Sequence, residues 1–74
     1  MTGTVKWFDK KRGWGFIAVD EQYNQKRNKS DIFVHFTTIQ MQGYRELAEG
    51  QRVEFNIGLD PKGHEMAENV VVIT

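Results

Sequence analysis

Aromatic side chains and one histidine recur at every second position in two short stretches of the sequence. Trp14 is followed by Phe16 in the first stretch, and Phe33 is followed by His35 in the second. Residues two apart on a β-strand point to the same side of a sheet, so each pair shares a face. A patch of exposed rings is uncommon on a soluble monomer that has no use for it. The spacing therefore indicates a ligand-binding surface.

Basic residues adjoin these stretches in the sequence; they are Lys6, Lys10, Lys11 and Arg12. Unpaired nucleotides suit such a surface, because their bases stack on aromatic rings while the sugar-phosphate backbone meets the positive charges. The chain has ten basic and ten acidic residues, but residues 1–30 carry seven of the basic ones and only three of the acidic ones. This asymmetry favours one basic face and does not by itself identify the ligand.

The same residues also have ordinary structural explanations. Phe16 and Phe33 fit a hydrophobic core, since aromatic side chains are more often buried than exposed. A lone histidine such as His35 commonly hydrogen-bonds a backbone carbonyl, and the basic run at residues 10–12 is, taken alone, a solvated turn. These explanations stay open until the direction of each side chain is known.

Two further features depend on the local backbone. Trp7 shares its parity with Val5, so regular alternation places it inside, and a bulge in its strand would bring it to the outer face. Gly13 and Gly15 flank Trp14. Their lack of side chains predicts room for a ligand to approach the Trp14 ring closely.

The elements that position these residues are short strands. Turn-forming residues recur about every ten positions, and the segments between them are rich in β-branched and aromatic residues, which is typical of an all-β barrel or sandwich. We predict strands at residues 4–9, 14–20, 31–36, 51–58 and 65–73. The sequence Asp60-Pro61-Lys62-Gly63 predicts a tight turn, with glycine accepting the positive dihedral that follows the proline. At most one short helical turn follows Phe36, with Thr37 or Thr38 as its cap.

Closure of these strands predicts a small five-stranded antiparallel barrel, since a flat sheet would leave two exposed edges. Its interior would hold the compact apolar residues of the strands. We expect that core to contain Ile17, Val19, Ile32, Val34, Val53, Phe55 and Ile57.

Length and composition narrow the possible functions. With 74 residues the chain is about half a typical domain, so we expect one domain over residues 1–74 with little room for an internal active site. Cysteine is absent, which excludes disulfides, thiolate metal sites and a cysteine nucleophile. No signal-peptide or membrane-spanning apolar run is present, and we expect a soluble cytoplasmic protein. No phosphate-binding loop, metal-ligand spacing or nucleophile paired with a base is present, so we expect neither an enzyme nor a bound metal or cofactor.

Four strings of residues resemble the bacterial cold-shock protein family, in that family's order and over nearly the whole chain. They are VKWF at 5–8, RGWGFI at 12–17, DIFVHF at 31–36 and LAEGQRVEF at 47–55. RGWGFI is similar to the family's first ribonucleoprotein motif and IFVHF to its second.

The resemblance implies a barrel of the oligonucleotide-binding type (the OB-fold) that binds single-stranded RNA and DNA over its first three strands. It implies stacking by Trp7, Trp14, Phe16, Phe33, His35, Phe36 and Tyr44, with a smaller part for Phe8. It also implies that Lys6 contacts the strand and that Asp31 contacts a base edge.

The chain departs from the family pattern at three places. Trp14 replaces a phenylalanine, Arg12 replaces a lysine, and the connection over residues 21–30 is several residues longer than usual. That connection carries Lys26, Arg27 and Lys29. It either extends the nucleic-acid path or is an insertion without a role, and the three added cations favour the first interpretation.

The predicted function is therefore binding of single-stranded nucleic acid by a monomer, as a passive RNA chaperone with a role in gene regulation in the cold-shock response. A protein-binding or oligosaccharide-binding barrel is the alternative, since aromatic surfaces also take sugars and apolar peptides. An RNA-recognition-motif domain is a third possibility, and substantial helix would favour it.

Overall fold

The computed structural model describes residues 1–20 and 31–73, and those ranges contain five strands and one turn of 3₁₀ helix. The strands are β1 (Thr2–Asp9), β2 (Trp14–Val19), β3 (Asp31–His35), β4 (Arg52–Leu59) and β5 (Glu65–Val72), and the 3₁₀ turn is η1 (Phe36–Thr38). All five predicted strands are present, with ends that differ by one or two residues. β1 begins earlier than predicted because Thr2, Gly3 and Thr4 pair with β4. Within the described ranges, no helix has the length and apolar character needed to cross a membrane.

The strands form a closed barrel in the order β1-β2-β3-β5-β4. The prediction that every pair is antiparallel is wrong at one seam, where β3 pairs with β5 in parallel through Phe33 and Met66. An isolated parallel bridge between Ile39 and Val70 continues that seam. The reason is geometric: strand directions cannot alternate all the way round a closed ring that has an odd number of strands.

The core lies inside this barrel and contains the predicted apolar residues with one exception. Ile57 is only partly buried and packs against the edge of the core. The other buried residues come from β1, from β5 and from the segment between η1 and β4; they are Val5, Ile39, Leu47, Ala67 and Val70.

The tight turn between β4 and β5 forms as predicted, but its glycine has a different place. The amide of Gly63 donates to the carbonyl of Asp60 at 2.9 Å, so Gly63 is the last residue of the turn and its positive φ of 87° follows the central pair. The Asp60 carboxylate accepts from the amides of Lys62 and His64 at 2.9 and 2.8 Å. These bonds lower the pKa of Asp60, the His64 amide most strongly.

The 3₁₀ turn is capped by His35 and not by a threonine. The Nδ1 atom of His35 accepts from the amide of Thr37, because the turn already begins at Phe36 and His35 is the last extended residue. Thr38 instead donates its hydroxyl back to the His35 carbonyl at 3.0 Å. The three residues of η1 are the only helical residues in the described ranges, which removes the argument for an RNA-recognition-motif fold.

Candidate nucleic-acid interface

The outer face of β2 and β3 carries the rings that the sequence placed there. Burial alternates along both strands, with Trp14, Phe16, Phe33 and His35 half-buried and their neighbours Gly15, Ile17, Ile32 and Val34 buried. Phe16 lies directly opposite Phe33 in the sheet, and Trp14 lies opposite His35. The explanation of Phe16 and Phe33 as core residues is therefore wrong, because the barrel interior is on the other side of their strands.

Trp7 joins this face because β1 is irregular. The pairing register between β1 and β2 shifts between Val5 and Trp7, so Val5 points inward while Trp7 pairs with Phe16 on the outside. The exposed fraction of Trp7 is 41%, against 1% for Val5. The bulge that alternation alone required for an outward Trp7 is present.

The rings form one continuous surface, which we call the aromatic platform and define as Trp7, Trp14, Phe16, Phe33, His35 and Phe36. Ring centroids are 5.0 Å apart for Trp7 and Trp14 and 5.6 Å apart for Trp7 and Phe16. Phe33 follows at 5.9 Å from both Trp14 and Phe16. These separations are those of favourable aromatic pairs, so the rings support one another while each keeps part of its surface exposed.

His35 continues the platform towards η1. Its ring lies 6.5 Å from Phe33 and 4.7 Å from Phe36. Its Nδ1 atom is 2.9 Å from the Thr37 hydroxyl, which together with the Thr37 amide fixes the orientation of the ring. Thr37 was not among the predicted site residues, and its signal in the sequence is the hydroxyl two positions after the histidine.

The two glycines around Trp14 serve packing and not ligand access, which corrects the sequence interpretation. A β-carbon on Gly15 would lie 2.2 Å from the Trp7 carbonyl oxygen and 2.7 Å from the Phe8 α-carbon. A β-carbon on Gly13 would lie 2.5 Å from the Phe36 ring. Both glycines therefore let neighbouring parts of the protein come close, and neither faces an open space above Trp14.

Most of the predicted cations are paired with carboxylates. The Lys6 ammonium lies 2.8 Å from Asp31, Lys10 lies 3.5 Å from Glu46, and the Arg12 guanidinium lies 3.9 Å from Asp9. Lys11 makes no ion pair with residues in the described ranges. Lys6 and Asp31, which the resemblance assigns to separate ligand contacts, thus bind each other in the free protein at the edge of the platform.

Tyr44 is separate from the platform and lines a cleft beside it. This cleft, which we call the turn cleft, has a volume of about 420 Å³ and is lined by residues 10–13, Phe36 and residues 43–45. Phe36 thus belongs to both the platform and the cleft. Arg45 was missed by the sequence analysis, although a cation next to Tyr44 is the same signal that was used for the turn at residues 10–12.

Phe8 lies apart from the exposed rings. It is partly buried and packs against the core, which fits the smaller part that the resemblance implied. The connection over residues 21–30, with Lys26, Arg27 and Lys29, lies outside the described residues.

Comparison with known proteins gives a consistent result. A family model described as the 'Cold-shock' DNA-binding domain matches residues 1–73. A cold shock-like protein of Aquifex aeolicus is 48% identical over 96% of this chain and 91% of its own length. Cold shock protein CspV of Vibrio cholerae is 47% identical over 99% of this chain and 94% of its own.

Cold shock-like protein CspE of Escherichia coli is 45% identical over 99% of this chain and 96% of its own. The closed five-stranded barrel is the OB-fold that the resemblance implied. The chain therefore belongs to the cold-shock domain family of nucleic-acid-binding proteins.

Proposed function

We propose that the chain binds single-stranded RNA and DNA by stacking unpaired bases on the aromatic platform, and that it acts in the cytoplasm as a passive RNA chaperone. The observation that carries this proposal is the outward, continuous row of rings from Trp7 to Phe36 on a barrel whose aliphatic residues fill the interior. Membership of the cold-shock domain family supports the choice of nucleic acid over sugars or apolar peptides.

The rings account for affinity without a net positive charge. Each base stacked on an aromatic side chain contributes ~1–3 kcal/mol, so a strand of about six nucleotides reaches micromolar to nanomolar affinity after ordering costs are subtracted. The ion pairs of Lys6 and Lys10 are exposed and contribute little to stability. These cations are therefore available to approach phosphates at small cost.

Chaperone action follows from selective binding of the open strand. A base within a duplex is stacked and paired, so it cannot lie flat on the platform. A protein that binds only the unpaired form of an RNA hairpin lowers the folded population by mass action, to the extent of its preference for that form. No covalent bond is made or broken in this mechanism. In the cold-shock response this activity would regulate transcription or translation by keeping RNA single-stranded.

The test is titration of intrinsic tryptophan fluorescence, because the two tryptophans of the chain, Trp7 and Trp14, both lie on the platform. We expect strong quenching by oligothymidine and by a single-stranded RNA, and almost none by a duplex of equal length. Equal quenching by single strand and duplex would refute base stacking. An apolar peptide and an oligosaccharide serve as the comparison ligands, and tight binding of either would favour the alternative function.

A further inference from the structure

Two contacts cross the turn cleft, and both involve Lys10. The Tyr44 hydroxyl donates a hydrogen bond to the backbone carbonyl of Lys10 at 2.6 Å. The Lys10 ammonium lies 3.5 Å from the Glu46 carboxylate. One wall of the cleft belongs to the turn between β1 and β2 and the other to the segment around Tyr44. These contacts therefore connect two walls that are far apart in the sequence.

The two walls differ in how firmly the rest of the protein holds them. In the turn, the Asp9 carboxylate accepts from the amides of Lys11 and Arg12, both at 2.9 Å. The Gly13 carbonyl also accepts from the amide of Phe36 at 2.8 Å. On the other wall, Tyr44 is 68% exposed. A β-carbon added at Gly43 would find no heavy atom within 4 Å.

We propose that Tyr44 is a positioning residue whose hydroxyl holds residues 43–45 against the turn, so that the turn cleft is already formed before nucleic acid binds. This inference rests on the proposed function. A ligand that needs a formed cleft binds with an apparent affinity reduced by the fraction of molecules in which the cleft is open. The net contribution of one hydrogen bond limits the gain in affinity to about twofold to tenfold.

The backbone acceptor makes a clean test possible. Tyr44→Phe removes the hydroxyl and keeps the ring, so any stacking by the ring is retained. Glu46→Gln is the matched control, because it removes the ion pair with Lys10 but leaves the hydrogen bond between Tyr44 and the Lys10 carbonyl. Affinity for oligothymidine is measured by tryptophan quenching, backbone order at residues 43–45 by ¹⁵N relaxation, and stability by thermal unfolding.

For Tyr44→Phe we expect about twofold to tenfold weaker binding, lower order parameters at residues 43–45, and an unchanged melting temperature. For Glu46→Gln we expect wild-type order at these residues and affinity no weaker than that of the wild type. The proposal is overturned by wild-type affinity in Tyr44→Phe, or by weaker binding with wild-type order, since the hydroxyl would then contact the nucleic acid directly.

A large drop in melting temperature would also overturn it, by making the hydroxyl a general structural contact. A wild-type protein that fails to bind oligothymidine would contradict the proposed function and the role of Tyr44 together. Failure of the Tyr44 proposal alone would leave wild-type binding intact, so the two failures are distinguishable.

Discussion

At the scale of single residues, a ring can serve binding when the barrel supports one side of it and leaves the other uncovered. Trp7 and Phe36 are 41% and 40% exposed, and each contacts other rings of the platform. Phe55, by comparison, is 1% exposed and belongs wholly to the core. Removal of a platform ring should therefore reduce affinity much more than stability.

Phe16→Ala and Phe33→Ala test this expectation. Each should weaken oligothymidine binding about tenfold or more, because a stacked base loses ~1–3 kcal/mol when its ring is truncated. Both variants should remain folded, as judged by circular dichroism and thermal unfolding.

Leu59→Ala is the control, since Leu59 is an exposed apolar residue on β4, outside the platform. It should bind like the wild type. A Phe16→Ala protein that unfolds, while its folded fraction binds with wild-type affinity, would assign that ring to the core and contradict the platform.

At the scale of elements, the approach of β1 to β2 decides which residues reach the platform. The bulge between Val5 and Trp7 turns Trp7 outward. Beyond it, Gly15 pairs with Phe8, and the β1 backbone occupies the space that a β-carbon at residue 15 would need. The bulge and the close approach at Gly15 lie on the same strand pair, so both shape the part of the platform formed by Trp7, Trp14 and Phe16.

Gly15→Ala should destabilise the protein by about 1–3 kcal/mol, the usual cost of forcing extra atoms into a closely packed site. The obstructing atoms belong to the backbone of Trp7 and Phe8, so relief requires β1 to move. Urea unfolding monitored by far-ultraviolet circular dichroism measures the change in the free energy of unfolding.

Gly58→Ala is the matched control on β4. There a β-carbon would meet the carboxylate of Glu68, which is the end of a flexible side chain that can swing away. This variant should stay within about 1 kcal/mol of the wild type. Equal losses in the two variants would mean that glycine's backbone freedom, and not the approach of β1, sets the requirement at residue 15.

At the scale of the whole molecule, charged groups join parts of the barrel that lie far apart in the sequence. Arg52 on β4 donates both terminal nitrogens to the carboxylate of Asp20, just after β2, and one of them also donates to the Thr4 hydroxyl on β1 at 2.8 Å. The Thr2 hydroxyl donates to the same carboxylate at 2.9 Å. The bonds from Arg52 lower the pKa of Asp20 from 3.8 to about 2, with a further contribution from Thr2.

This pKa predicts how stability depends on pH. A carboxyl group whose pKa is lower in the folded state binds its proton more weakly there than in the unfolded chain. Its contribution to stability is therefore present above about pH 4 and is lost as the pH falls through the range from about 4 to about 2. The lowered pKa of Asp60 acts in the same direction.

Asp20→Asn should accordingly be less stable than the wild type at neutral pH, and the difference should shrink as the pH approaches 2. Urea midpoints measured over this range give the comparison. Glu49→Gln serves as the control, because Glu49 makes no ion pair with residues 1–20 or 31–73. A gap between Asp20→Asn and the wild type that stays constant from neutral to acid pH would contradict the role given to this carboxylate.

The sequence alone determined the strands, the closed barrel and the side of β2 and β3 that carries the rings. Period-two alternation is a local property, and one residue of register error would exchange core and surface along a whole strand. It therefore predicted the directions of Phe16 and Phe33 well. Four ordered motifs likewise supplied the family, which the comparisons confirmed.

Only the tertiary structure decided the features that depend on residues far apart in the chain. The bulge that brings out Trp7, the parallel seam between β3 and β5, and the pairing of Lys6 with Asp31 all arise when separate strands meet. Ile39 and Leu47 join the core from a segment without regular periodicity, so no pattern marks them. Local alternation encodes which way a side chain points, whereas what it touches is decided by the closure of the barrel.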